Sequence, residues 1–280
     1  MNNIYEDLIE VIEKNRNDKI SGKKIGIPYP FPRLEEELCG IQKGQVIGIS
    51  GASGLGKSKI TRNIFVYNTI RFAIKNNYPL KIIYFALEDN EKRLQTFMLS
   101  HLLSREYGSR VNSNILLSRG KEPLSEKTLN KILKQENELK KFFSYISFVK
   151  AANTPNQIDE YLENVALENG KFYKNEIGKW IYEPKDDTHI LVIIDNFSNI
   201  SADSKDSNDY NAVTRLSRDI IRKKYSDYCG FTFVNVLQQA FAVENQQYAN
   251  SGNLIIQKLI PTMATIGDVK VIARSRLKII

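Results

Sequence analysis

The sequence predicts an α/β protein whose mainly parallel central sheet carries helices on both faces, and three observations lead there. From Gly44 to the C-terminus, short apolar runs alternate with helix-like segments, a pattern that calls for crossover connections between parallel strands. One strand-to-helix junction, Gly51-Ala52-Ser53-Gly54-Leu55-Gly56-Lys57-Ser58, completes the phosphate-binding loop pattern G-x-x-x-x-G-K-[ST]. An unbroken aliphatic run from Ile190 to Ile194 leads into Asp195, as expected of a central strand buried on both faces with its end at a ligand crevice.

Taken in order, the chain opens with Ile4, Leu8, Ile9, Val11 and Ile12 at helical spacing, which predicts a short amphipathic helix. A polar segment containing Gly and Pro, from Asn15 to Pro32, sets it apart from the body. The helix can cap the core of its own chain or serve as a linker that docks on a neighbouring subunit. Strands are expected over Gln45–Ser50, Lys81–Leu87, Tyr145–Lys150, Ile190–Asp195, Phe231–Leu237 and Lys278–Ile280. Helices are expected over Lys57–Lys75, Glu91–Tyr107, Ser125–Phe142, Pro155–Glu168 and Tyr210–Tyr228. Gly170, Gly178, Pro184 and the pair Asp186-Asp187 mark Asn169–Thr188 as an inserted hairpin or loop. The polar stretch Asn196–Asp209 has no apolar period and reads as a mobile loop at the sheet edge.

With 280 residues and 42% hydrophobic content, the chain can form one large domain or two small ones. No apolar stretch approaches the roughly 20 residues that span a bilayer, and the start lacks the pattern of a signal peptide. A cytoplasmic location is expected. Cys39 and Cys229 lack metal-ligand spacing and read as buried free thiols, and two histidines leave little material for a zinc site. The net charge of +8 permits attraction to nucleic acid without establishing it, and the lysines between Lys127 and Lys141 read as a solvated helix face.

The chemistry concentrates at the phosphate loop and at three further strand ends. Glycines in Gly51–Ser58 let backbone N–H groups curl around phosphates, and the following helix adds the positive potential of its N-terminus. Lys57 should reach the β- and γ-phosphates of a bound nucleotide, and the Ser58 hydroxyl should ligate Mg²⁺. Ala52, Ser53, Gly54, Leu55 and Gly56 complete the cradle. Asp195 is the candidate second holder of Mg²⁺, acting through water, although an acid can also simply end a strand. Glu88, at the end of the strand after the phosphate-loop helix, could polarise the attacking water. Asp89 and Glu91 read instead as helix-cap residues. Gln238 or Gln239, at a third strand end, could sense the γ-phosphate. Lys270, Arg274 and Arg276 are candidate backbone-phosphate ligands or plain surface charges.

Four segments in this order resemble the motor domain of DnaB-type replicative helicases, RecA-like P-loop ATPases, and most of all their phage-encoded members. They are the approach from Gly26-Ile27-Pro28 to Gly44-Gln45, the strand end Phe85-Ala86-Leu87-Glu88, Asp195-Asn196-Phe197, and Val236-Leu237-Gln238-Gln239. Gly267–Arg274 resembles a further family region more loosely. The resemblance implies a RecA-like fold and a ring, usually a hexamer, with ATP between subunits. It implies DNA replication as the setting, with central loops gripping single-stranded DNA while hydrolysis drives translocation, and a primase or helicase loader as partner. Glu88 would be the catalytic base, and the opening helix would pass to the next subunit. The segments from Asn199 to Asp209 and from Thr265 to Arg274 would face the channel, gripping phosphates more than stacking bases.

The chain thus divides into a linker helix with an extended segment, residues 1–32, and a RecA-like ATPase domain, residues 33–280. It is expected to lack the family's primase-interacting N-terminal domain and to stop short of the strands carrying a basic finger, which would then come from elsewhere or be replaced by Arg274 or Arg276. Two other readings stay open: a RecA- or KaiC-like ATPase that remodels filaments or partners without unwinding, and a nucleotide-binding assembly protein with little turnover.

Overall fold

Alternation along the strands builds two cores at once. Ile83, Phe85, Val192, Ile194, Phe233 and Leu237 point to one side of the sheet, while Ile82, Tyr84, Leu191, Ile193 and Val234 point to the other. Both sides are apolar, so both must be covered, and that requirement yields a helix–sheet–helix sandwich. The computed structural model describes residues 4–22, 26–109, 111–150, 152–178, 180–238 and 278–279.

The strands are β1 (Val46–Gly51), β2 (Leu80–Ala86), β3 (Ile146–Val149), β4 (Gly170–Lys174), β5 (Trp180–Pro184), β6 (His189–Asp195), β7 (Thr232–Gln238) and β8 (Lys278–Ile279). Six of them form one sheet in the order β3-β2-β6-β7-β1-β8, with every neighbouring pair parallel. β4 and β5 pair separately as an antiparallel hairpin, the insertion expected between Asn169 and Thr188.

The helices are α1 (Ile4–Ile20), α2 (Pro32–Leu38), α3 (Lys57–Arg62), α4 (Asn68–Asn76), α5 (Glu91–Tyr107), α6 (Ser113–Leu116), α7 (Glu126–Lys134), α8 (Glu136–Phe143), α9 (Pro155–Asn169) and α10 (Asp209–Arg215). A wide π-helical turn, Asn63–Tyr67, joins α3 to α4, and a longer one, Leu216–Ser226, extends α10. Ile64, Phe65, Ile70, Leu94, Met98 and Leu102 cover one sheet face; Ile158, Leu162, Leu216, Ile221 and Tyr225 cover the other. Each such buried side chain contributes on the order of 1.5–3 kcal/mol. Ile27 and Tyr29 also join the core on the Ile82 and Tyr84 side of the sheet, where Ile27 bridges to Ile41.

The structure departs from several sequence expectations. α1 continues to Ile20, beyond the break expected at Asn15, because its Glu, Lys and Arg residues favour helix without supplying an apolar stripe. The helix expected over Ser125–Phe142 divides at Gln135 into α7 and α8. Cys39, expected to be buried, is exposed; it closes α2 in the left-handed region at φ 55°. Cys229 is partly buried, and burial pushes its thiol up to about 12.

The stretch after Asp195, expected to be mobile, is pinned. A short 3-10 turn at Phe197–Asn199 inserts Phe197 and Ile200 into the core. Arg215 then donates to Asp203 at 2.6 Å and to Asp206 at 2.8 and 2.9 Å, with both carboxylates nearly buried. These charge-assisted contacts hold Arg215 above its already high ordinary pKa; hydrogen bonding to Asp206 is the largest cause. Composition carried no trace of this pinning, because the partner lies on a helix that starts only at Asp209.

Candidate nucleotide-binding site

β1 ends at Gly51 in the sheet interior, directly beside Gln238 of β7 in register, and the chain must turn there to enter α3. Gly54 and Gly56 make that turn at φ 78° and 84°, a region open to glycine and costly for other residues. Gly56 takes the N-cap position, so the free N–H groups at the start of α3 face the loop's concavity. Lys57 Nζ donates to the Ala52 carbonyl at 2.8 Å, which folds the lysine back over the loop.

Asp195 ends β6 between β2 and β7, opposite Ala86 in register. The Leu87 N–H donates to the Asp195 carbonyl at 2.8 Å and extends the pairing by one residue, so Glu88 projects just past the sheet edge. Ser58 Oγ donates to Asp195 Oδ1 at 3.0 Å, and the Tyr84 hydroxyl donates to Oδ2. The carboxylate is only 5% exposed. Burial pushes its pKa above the ordinary value, while the hydrogen bonds from Tyr84 and Ser58 and the charge of Arg62 oppose that rise.

Lys57, Ser58, Glu88, Asp195 and Gln238 all line one cavity of about 700 Å³. The predicted residues of the phosphate loop and of three separate strand ends therefore converge. Asp89 pairs with Arg93 at 3.2 Å, while the cap of α5 is Asn90, which accepts from the Lys92 N–H. Gln238 accepts weakly from Asn196 Nδ2 at 3.4 Å. Gln239, Lys270, Arg274, Arg276 and the whole of Thr265–Arg274 lie outside the described residues.

Sequence reasoning missed two members of this site. Arg62 lies four residues after Ser58, hence on the same helix face, and helical side chains lean back toward the N-terminus. Arg62 is 7% exposed, and its guanidinium sits 5.7 Å from the Phe97 ring centroid. Desolvation, followed by the nearby Asp195 charge, holds the Tyr84 phenol far above its ordinary pKa. The i,i+4 spacing of Ser58 and Arg62 was the available signal; Tyr84 looks in sequence like any core aromatic.

The donor set fits Mg²⁺. One hydroxyl and one carboxylate meet beside a helix N-terminus and leave most of the coordination sphere to water and phosphate, the arrangement a small, strongly hydrated cation takes. Among the described residues no cluster of three or more His, Cys, Asp or Glu side chains forms an all-protein cage.

A parallel sheet of this order, with a glycine loop leading into α3 and acids on the neighbouring strand ends, defines the RecA-like fold of P-loop ATPases. That fold is the one found in the motor domains of DnaB-type helicases. The chain is similar to the ATPase domain of G40P, with 15% identity and a TM-score of 0.60 over 98% of this chain and 81% of that one. It is similar also to a DnaB-like replicative helicase, solved in a study of its interactions with primase, with 16% identity and a TM-score of 0.62. That match covers 95% of this chain and 54% of the helicase, so the chain spans about half its length. At these identities the likeness is one of fold. No protein-family model and no curated protein matches the sequence.

Proposed function

We propose that this chain is an ATP-hydrolysing motor subunit of the DnaB helicase type. The observation that carries the reading is the convergence of Lys57, Ser58, Glu88 and Asp195, from the phosphate loop and two neighbouring strand ends, on a single cavity. The Gly51–Ser58 backbone and the α3 N-terminus hold the triphosphate, and Lys57 exchanges the Ala52 carbonyl for the β- and γ-phosphates. Ser58 and Asp195 hold Mg²⁺, which when bound neutralises charge on the phosphate oxygens. Glu88 accepts the proton of the attacking water, and Gln238 reports the state of the γ-phosphate from the end of β7.

In this reading α1 is the linker that docks on a neighbouring subunit of a ring, a hexamer in the family it resembles. Its exposed Leu8, Val11 and Ile12 support that role. The net charge of +8 favours single-stranded DNA as the polymer, with the segment from Asn199 to Asp209 at the channel and a primase or loader as further partner. Among the described residues no helix is long and apolar enough to cross a membrane, and the cytoplasm, a host's for a phage protein, is the proposed location. The test combines ATP hydrolysis, with and without single-stranded DNA, and strand displacement on a forked duplex. Hydrolysis stimulated by DNA with displacement is expected. Strong stimulation with no displacement would sink the helicase reading and leave the remodelling ATPase.

A further inference from the structure

We propose that Tyr84 is a positioning residue for Asp195: a buried phenol that fixes the metal-holding carboxylate from behind. The proposal rests on the reading of the cleft as a Mg²⁺–nucleotide site. It goes beyond that reading because Tyr84 belongs neither to the phosphate loop nor to the strand-end acids, and does not need to touch nucleotide.

The geometry sets each hydrogen in these contacts. The phenol has one proton, and it points at Asp195 Oδ2. Ser58 takes the other oxygen, Oδ1, on the side that faces the loop. The carboxylate is thereby held at both oxygens, with Oδ1 aimed toward the cleft.

Burial makes the arrangement costly in any other role. Tyr84 is 1% exposed, and a hydroxyl taken out of water needs a hydrogen-bond partner, which Asp195 supplies. A phenylalanine at position 84 would fill the same space in the sheet without that requirement. The hydroxyl is explained by the carboxylate it steadies.

Outer partners of metal ligands change metal affinity by about 10–100-fold when removed. The test measures binding of a fluorescent ADP analogue, once in EDTA and once across a Mg²⁺ titration, for the wild-type chain and Tyr84→Phe. Tyr84→Phe removes only the hydroxyl and should raise the half-saturating Mg²⁺ concentration about tenfold while leaving the affinity in EDTA unchanged. An unchanged Mg²⁺ midpoint in Tyr84→Phe overturns the positioning role, as does an equal loss of affinity in EDTA, which would mark a merely structural role. A wild-type chain that binds no nucleotide in either condition overturns the site reading itself, and is thereby told apart from failure of the positioning role alone.

Discussion

The nucleotide cleft and the N-terminal helix satisfy their side chains in opposite ways. In the cleft, an acid and a phenol are nearly excluded from water and hydrogen-bond to each other, and Ser58 takes the acid's second oxygen. In α1, apolar residues recur at helical spacing, yet Leu8 and Ile12 stand 54% and 51% exposed. A helix of 17 residues is marginal in water without a packed face. The contrast teaches that an amphipathic pattern specifies that a face is to be covered but leaves open by what, whereas the cleft's polar pattern closes on itself.

Four measurements would break or sharpen that contrast. The largest effect is expected of Glu88→Gln, which should lower turnover by about 10²–10⁴-fold while nucleotide binding persists. Intact turnover would remove Glu88 from the chemistry and favour an assembly protein. Lys57→Ala should weaken ATP affinity on the order of 100-fold, the value of a charged hydrogen bond worth about 1.5–3 kcal/mol; an unchanged dissociation constant would overturn the phosphate-loop assignment.

The third concerns a closed region away from the cleft. His189 Nε2 lies 2.8 Å from Thr232 Oγ1, whose proton goes to the Gln42 carbonyl, so Nε2 carries the ring hydrogen and Nδ1 accepts from Tyr78. Burial pushes the imidazole pKa down to about 4 from 6.5. The folded chain therefore holds the neutral ring, and the associated stability is complete above pH 6.5 and lost as pH falls toward 4. The loss is roughly 3 kcal/mol at the acid end. Denaturant titrations of wild type and His189→Gln at pH 7.5 and pH 5 should show the steeper acid loss in wild type, and equal losses would discount the histidine.

The smallest effect belongs to α1. Leu8→Ala and Ile12→Ala should each weaken self-association by about 1–2 kcal/mol and leave the melting temperature of the dilute chain unchanged. A lowered melting temperature at dilution would show that α1 packs on its own chain after all, and the contrast with the cleft would vanish.

Much of the fold was legible because its signals are local. The aliphatic run ending in Asp195, the alternation of β2 and the glycine loop each state their structure within about eight residues. The anchoring of Asn196–Asp209 was illegible for the opposite reason: Asp203 and Asp206 look like solvated loop acids until α10 brings Arg215 against them. The π-helical turn at Asn63–Tyr67 shares that character, since a single wide turn leaves the average helical period almost unchanged.

By itself the sequence determined the main strands and the longer helices, and that a phosphate cradle joins β1 to α3, because periods of two and 3.6 residues and glycine's tolerance of positive φ act over a few neighbours. Only the tertiary structure decided that β6 lies between β2 and β7, and hence that Tyr84 reaches Asp195 across 111 residues and Ser58 reaches it across 137. Contacts at such separations depend on strand order and on which face of α3 turns inward. Both are settled by burying two apolar faces together, a condition on the whole chain that no single segment contains.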